Sequence, residues 1–280
     1  MALGHNYAEK YSPLVDEAFK LQALTAGVVN NDYDWEGVAT VNVYSIPTVA
    51  LNNYTVSGNQ RYGTANELQN DIQTLTLTQD KSFTFTIDRK QTQDTMGVMD
   101  AGAALAREVS QVIIPTVDKY RIAGLVSGCP AEHVETGSIT KSNAYESFLA
   151  CQEDLDDDLA PVGGRVTLVT PAFYNLIKLD SSFVHDGDRA TGISLNGQVG
   201  TIDGVPVIKA PTSYFPVGVD FVITNAVAMV SPIKLQDYKI HIDPPGINGA
   251  LVEGRLRYDA FVLSNKANAI AVHQVSASSN

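Results

Sequence analysis

The run Glu153-Asp-Leu-Asp-Asp-Asp gathers enough carboxylate to suggest a hard-cation site. It lacks the alternating oxygen ligands and loop glycine of an EF-hand, and it falls at the end of a helical pattern. Carboxylates there oppose the helix dipole, so the run reads as a solvated surface or a helix stop. His133, flanked by Glu132 and Glu135, suggests a metal site or an acid–base pair. No second histidine stands at ligand spacing, His-Glu-x-x-His is absent, and His5, His185, His241 and His273 are scattered. His185-Asp186 with Ser181 or Ser182 is the nearest approach to a nucleophilic triad, but no Gly-x-Ser-x-Gly elbow exists to expose the hydroxyl. Val162-Gly-Gly-Arg matches neither glycine-rich phosphate loop and reads as a turn feeding a strand at Arg165. Cys129 and Cys151 lie outside any metal-type spacing and read as buried thiols rather than a disulfide. No catalytic, metal or cofactor residue is expected, and no enzymatic activity.

Aromatic side chains offer a different chemistry. Tyr33, Trp35, Tyr54 and Tyr62 fall outside every core-periodic segment. Such rings can stack on bases, but stacking platforms need interleaved Lys and Arg. A formal net charge of −12 argues against a surface that grips phosphates broadly. Tyr and Trp also anchor protein interfaces, because a large ring on two torsions costs little entropy to fix. The interface reading is favoured.

With 280 residues the chain can form one large domain or two modest ones, each with a sizeable core. Hydrophobic content of 44% against 18% charged belongs to a folded chain. No run of about 18 apolar residues predicts a membrane span, and the acid-containing N-terminus with no apolar stretch does not read as a secretory signal.

The elements that must position these residues follow from periodicity. Residues 1–37 read as an arm, with a short helix opened by Pro13 and a polar turn from Asn30. From residue 38 to 90, Thr, Val and Tyr alternate around a polar, glycine-containing stretch, which predicts a two-stranded excursion with a long tip. A lone hairpin is marginal in water, so this one is expected to rest on something outside its own core. Asp94 is the candidate N-cap of a long helix whose apolar face is Met99, Ala103, Ala106, Val109, Ile113, Val117 and Tyr120. Pro115 lies inside that helix and is expected to bend it. A second helix over Ser142–Leu159, capped by Ser142 or Asn143, carries Tyr145, Phe148, Leu149, Gln152, Leu155 and Leu159 on one face. A strand at Arg165–Thr170, a short helix at Pro171–Leu179, a hairpin around Gly204 and a buried strand at Asp220–Thr224 come next. Three strand-like runs close the chain, at Pro232–Ile242, Leu251–Leu263 and Asn268–Val275.

Four stretches taken in this order resemble one family: Val43-Tyr-Ser-Ile-Pro-Thr-Val, Arg61-Tyr-Gly-Thr, Ser82-Phe-Thr-Phe-Thr-Ile-Asp and Ile114-Pro-Thr-Val-Asp-Lys-Tyr-Arg. They look like the major capsid proteins of tailed bacteriophages, with the Hong Kong 97-type fold, and the resemblance covers nearly the whole chain. It implies an α+β architecture: N-terminal arm (1–37), extended β loop (38–90), spine helix with peripheral domain (91–180), axial domain (181–230) and terminal strands returning to the peripheral domain (231–280). The Ser142–Leu159 helix would belong to the peripheral domain. It implies a structural subunit that self-assembles as hexamers and pentamers into an icosahedral shell around double-stranded DNA, without strong sequence-specific binding. A separate scaffolding protein and a portal are implied partners, the virion capsid is the implied location, and assembly would take place in the host bacterial cytoplasm. Trp35, Tyr54, Arg61, Tyr62, Glu67 and Lys81 would make inter-subunit contacts, and Pro115 would mark the spine kink. Some family members cross-link subunits through a lysine in the extended loop. Lys81 lies in that region, but neither the partner asparagine nor the catalytic acid can be matched, so that chemistry is not carried over. An encapsulin-type cellular shell and an unrelated hydrolase or binding protein are the competing readings.

Overall fold

Alternating runs become strands and three-to-four-spaced runs become helices. The strands and helices are β1 (Thr40–Ser45), β2 (Asp71–Thr76), β3 (Gln79–Asp88), α1 (Arg89–Asp94), α2 (Ala101–Glu108), α3 (Ile114–Ser127), β4 (Val134–Thr136), α4 (Ala144–Asp157), β5 (Arg165–Val169), α5 (Pro171–Leu179), β6 (Gln198–Ile202), β7 (Val205–Lys209), β8 (Val219–Asn225), β9 (Met229–Val230), β10 (Ile233–Ile242), β11 (Gly249–Tyr258), β12 (Phe261–Val262) and β13 (Ile270–Gln274). This computed structural model describes residues 23–30, 40–45, 48–65, 67, 71–94, 100–180 and 198–275.

β1 and β2 pair antiparallel, Thr40 against Thr76 and Ser45 against Asp71. The expected two-stranded excursion is present, and its base is anchored within the chain. Leu75 and Leu77 pack with Val41 and Val43 against Val230, Phe261 and Leu263. β3 continues into a three-stranded antiparallel sheet of order β10-β11-β3. At its centre Gly254 faces both Phe83 and Tyr238 in register. A Cβ there would sit 2.2 Å from Phe83 Cε1, so only glycine lets these rings close over the strand.

The helical run differs from expectation in two ways. Asp94 is the last residue of α1, and the capping position falls to Asp100, whose carboxylate accepts from Gly102 N at 2.9 Å and Ala103 N at 3.2 Å. Between α2 and α3 the chain makes a π-helical turn, Val109–Ile113, in which Ile114 N–H bonds back to Val109 O. Pro115 follows directly, in the first turn of α3, where the widened ladder absorbs its missing donor. One extra residue rotates the face by about 100°, so a single 3.6-residue stripe cannot run through. Accordingly Ala103 and Ala106 are exposed, Val109 and Ile113 are half-buried, and Met99 lies outside the described residues. The buried face of α3 is instead Val117, Asp118, Arg121, Ile122 and Leu125, and no residue of α2 or the π turn is buried.

The largest sheet is mixed, of order β4-β13-β8-β5-β7-β6, with β4/β13 and β5/β7 parallel and the other pairs antiparallel. Every residue of β5 is buried, as a strand covered on both faces requires. One face packs on α3 through Val166, Leu168, Val222 and Val272. Leu24, Val28 and Val29, from the stretch read as an arm, belong to this same core. The other face packs on α4 and α5 through Val207, Phe221, Ile223 and Ala271. The β6–β7 hairpin turns on Asp203 (φ 49°) and Gly204 (φ 76°), the conformation expected of an Asp-Gly turn. On α4 the buried face is Ala144, Phe148, Cys151, Gln152 and Leu155, while Leu149 and Leu159 are exposed. Asn143 stands at the N-cap without a side-chain bond to the helix, because its Oδ1 accepts from Thr140 N at 2.6 Å.

Candidate assembly surfaces

His133 and the acidic run are drawn into structural contacts. His133 is buried, with Nδ1 donating to Ile270 O at 3.0 Å and Nε2 lying 2.9 Å from Asp158 Oδ2. Asn268 donates to the same carboxylate oxygen at 2.5 Å. Arg165, also buried, donates to the carbonyls of Pro161, Ala160 and Leu155 and pairs with Asp156 at 2.7 Å. α4 ends within the acidic run, at Asp157, and the run supplies Asp156 to the buried Arg165 and Asp158 to the buried His133. Burial, with Glu132 adding to it, pushes the Cys129 thiol up to about 12, and burial likewise pushes Cys151 up, which removes the thiolate a nucleophile needs. Both cysteines are free thiols; Cys151 is buried as expected, whereas Cys129 is half-buried. Ser181, Ser182, His185 and Asp186 lie outside the described residues. Among the described residues no group of His, Cys, Asp and Glu is placed to hold a metal, and no helix is long and apolar enough to cross a membrane.

In the stretch Asp118-Lys-Tyr-Arg, three side chains tie α3 to other parts of the chain. Asp118 accepts from Leu24 N at 2.9 Å, Thr25 N at 3.3 Å and Thr25 Oγ1 at 2.5 Å. Arg121 donates to Ser231 Oγ at 2.8 Å and to Thr25 Oγ1 at 3.2 Å. Its burial lowers the guanidinium's pKa, and the neighbouring Asp118 charge works the other way. Tyr120 donates to Asp259 Oδ1 at 2.8 Å, and the other oxygen of Asp259 accepts from Thr78 N and Oγ1 at 2.7 and 2.9 Å. Burial first, and this bond second, hold the Tyr120 phenol above its ordinary range. Thr78 lies between β2 and β3, so the network fixes the hairpin base to α3 and to residues 24–25.

Beyond that anchored base the hairpin is open. Val56 and Tyr62 are each 83% exposed, and Leu51, Val49 and Tyr44 are exposed as well. Tyr54 and Tyr62 meet edge to face with ring centroids 5.1 Å apart. Arg61 Nε donates to Gly58 O at 3.2 Å and Thr55 N to Arg61 O at 3.1 Å, which gives the tip local order without a core. Glu67 is exposed, Lys81 is exposed on β3 opposite Leu256, and Trp35 lies outside the described residues. Tyr54, Arg61 and Tyr62 are thus gathered at one tip, and Lys81 is on a separate strand.

No protein-family model and no curated protein matches this chain. Solved structures do. A structure from Mycobacterium phage Che8 is 17% identical, with TM-score 0.74, covering 97% of this chain and 98% of its own. The mature capsid of bacteriophage PhiM1 is 13% identical at TM-score 0.73, covering 96% of this chain and 92% of its own. The capsid of the cyanophage P-SCSP1u is 12% identical at TM-score 0.74, with the same shares covered. At such identities the likeness is one of fold: this chain has the mixed helix-and-sheet fold found in these phage capsid structures.

Proposed function

We propose that this chain is the structural subunit of a bacteriophage capsid and that its activity is self-association. The observation that carries the reading is a hairpin anchored at its base with exposed apolar side chains beyond it, on a chain that shares its fold end to end with capsid subunits. An exposed apolar tip and a helical segment with no buried residue are surfaces that neighbours would cover. In this reading the fold is of the Hong Kong 97 type, residues 38–90 form its extended loop, and α2, the π turn and α3 form its spine. Tyr54, Arg61, Tyr62, Glu67 and Lys81 contact adjacent subunits, and so does Trp35. Residues around the six-stranded sheet supply the peripheral and axial domains, and copies close into hexamers and pentamers. The shell encloses DNA that it does not read, assembles in the host cytoplasm with a separate scaffolding protein and a portal, and performs no catalysis.

Size-exclusion chromatography with light scattering, followed by negative-stain microscopy, tests this directly. Capsomers or closed shells are expected, alone or with scaffold. A strictly monomeric chain at high concentration under both conditions overturns it.

A further inference from the structure

Lys178 of α5 and Lys209 of β7 hold their ammonium groups over one ring, that of Tyr174, at 4.7 and 5.5 Å from its centroid. The ring attracts each cation, but the two cations repel one another. Neither lysine makes an ion pair among the described residues. Leu179, beside them, is 69% exposed. This end of the layer is an apolar spot carrying two positive charges that no described residue pairs.

The far end of the same layer has the reverse character. α4 closes in a Schellman motif, with Leu159 N–H to Asp156 O at 3.0 Å and Ala160 N–H to Leu155 O at 2.9 Å. Leu159 takes the left-handed position of that motif, φ 56°, where glycine is the usual occupant. A leucine there keeps backbone strain while leaving its side chain 88% exposed, and Val162 close by is 70% exposed. Glu153 and Asp157 at this end are exposed and make no ion pair among the described residues. Strain retained to display an apolar side chain points to a contact outside the chain.

These two ends cannot meet within one molecule. Tyr145 N–H, in the first turn of α4, donates to Asp180 Oδ2 beside Leu179 at 3.0 Å. The lysine patch therefore adjoins the start of α4, while Leu159 lies past its end. The 14 residues of α4 place them about 21 Å apart at 1.5 Å per residue. Opposite charges at opposite ends of a rigid layer are placed to face each other between copies, head to tail.

We propose that the Lys178–Lys209–Tyr174 patch of one copy docks on the Leu159–Val162 corner of the next, with Glu153 and Asp157 facing the two lysines. The inference rests on the shell-subunit reading and adds to it the joint that sets subunits side by side. Such a contact is heterologous, and it closes into a ring when the rotation per subunit allows.

Charge exchange tests it. Lys178→Glu with Lys209→Glu, or Glu153→Lys with Asp157→Lys, places like charges across the joint. Each pair should raise the protein concentration needed for assembly by about tenfold or more. All four changes together exchange the sign of both patches and should restore assembly. Leu159→Gly should raise the monomer's melting temperature and still weaken assembly, a split that a merely structural role would not give. Light scattering reads assembly, and circular dichroism confirms that each variant is folded. Either pair assembling at the wild-type concentration, or a folded fourfold variant that fails to recover, overturns the joint while wild-type shells remain. A wild-type chain that never assembles overturns the shell reading itself, and the joint with it.

Discussion

Asp118 and Arg121, both buried and one helical turn apart on α3, are joined through the Thr25 hydroxyl, which donates to Asp118 Oδ1 at 2.5 Å and accepts from Arg121 at 3.2 Å. Each charge thus spends its hydrogen bonds on other parts of the chain, and residues 24–25 become the third member of a buried polar unit. Fully satisfied networks of this kind rigidify a core, and partly satisfied ones cost dearly.

Removing one member should therefore be severe. Asp118→Ala leaves a buried guanidinium without its neighbouring carboxylate and strands two backbone donors, with an expected loss of about 3–5 kcal/mol. Thr25→Ala should cost about 1–3 kcal/mol. Urea denaturation of both variants provides the check, and losses below about 0.5 kcal/mol, the scale of ordinary surface changes, would show that the network is incidental.

Alkaline pH should destabilise the fold in a defined direction. Burial raises Cys129 from 9.0 to about 12, and burial with the Asp259 bond raises Tyr120 above 10.0. The unfolded chain releases these protons first. The stability tied to them is fully present below the ordinary thiol and phenol ranges and is lost as pH rises through the folded-state values. Thermal melts across the alkaline range should show falling midpoints, and Cys129→Ala should flatten the slope. A midpoint that stays level from neutral pH upward would contradict the assignment.

Deleting Ser57–Asn70 should leave the fold intact, because the buried hairpin contacts are those of Leu75, Leu77, Val41 and Val43. Circular dichroism should match the parent while particles disappear. Global unfolding of the deletion would place the tip inside the core.

Pro115→Ala returns an amide donor to the first turn of α3. The π turn then loses one reason to persist, and its relaxation to α geometry would rotate α2 relative to α3 by about 100°. The monomer should be as stable as the parent or more so, since proline is tolerated early in a helix but is never the better donor. Negative-stain images should show aberrant or open particles. Normal particles in normal yield would mean that the proline is not what shapes this helix.

Much of the architecture was legible because it is local. Period-two alternation marked β1, β2 and β3, Gly204 marked its hairpin, and three-to-four spacing marked α4. What local pattern cannot carry is phase and partnership. Two aspartates six residues apart are equivalent caps on paper, and only the end of α1 at Asp94 hands the role to Asp100. The π turn breaks a stripe that reads as continuous. Asp118 and Arg121 look like any solvated pair on a helix until Thr25, 93 positions away, is brought beside them. Leu159 matched the apolar stripe of α4 by spacing, yet the helix ends before it. At the candidate surfaces, Tyr54 and Tyr62 could be singled out because they fit no core stripe. The lysines over Tyr174 could not, because they come from a helix and a strand 31 positions apart in sequence (209 − 178).

The place of β13 in the six-stranded sheet bears on when this chain can fold. It is the last of the described strands in sequence, yet it lies between β4 and β8 and bonds to both. During synthesis β8 must wait, one edge unpaired, until residues 270–274 leave the ribosome. Pairings at such separation make folding slow. A nascent chain without residues 270–274 lacks the strand that joins β4 to β8, so its six-stranded sheet stays divided until synthesis passes Gln274.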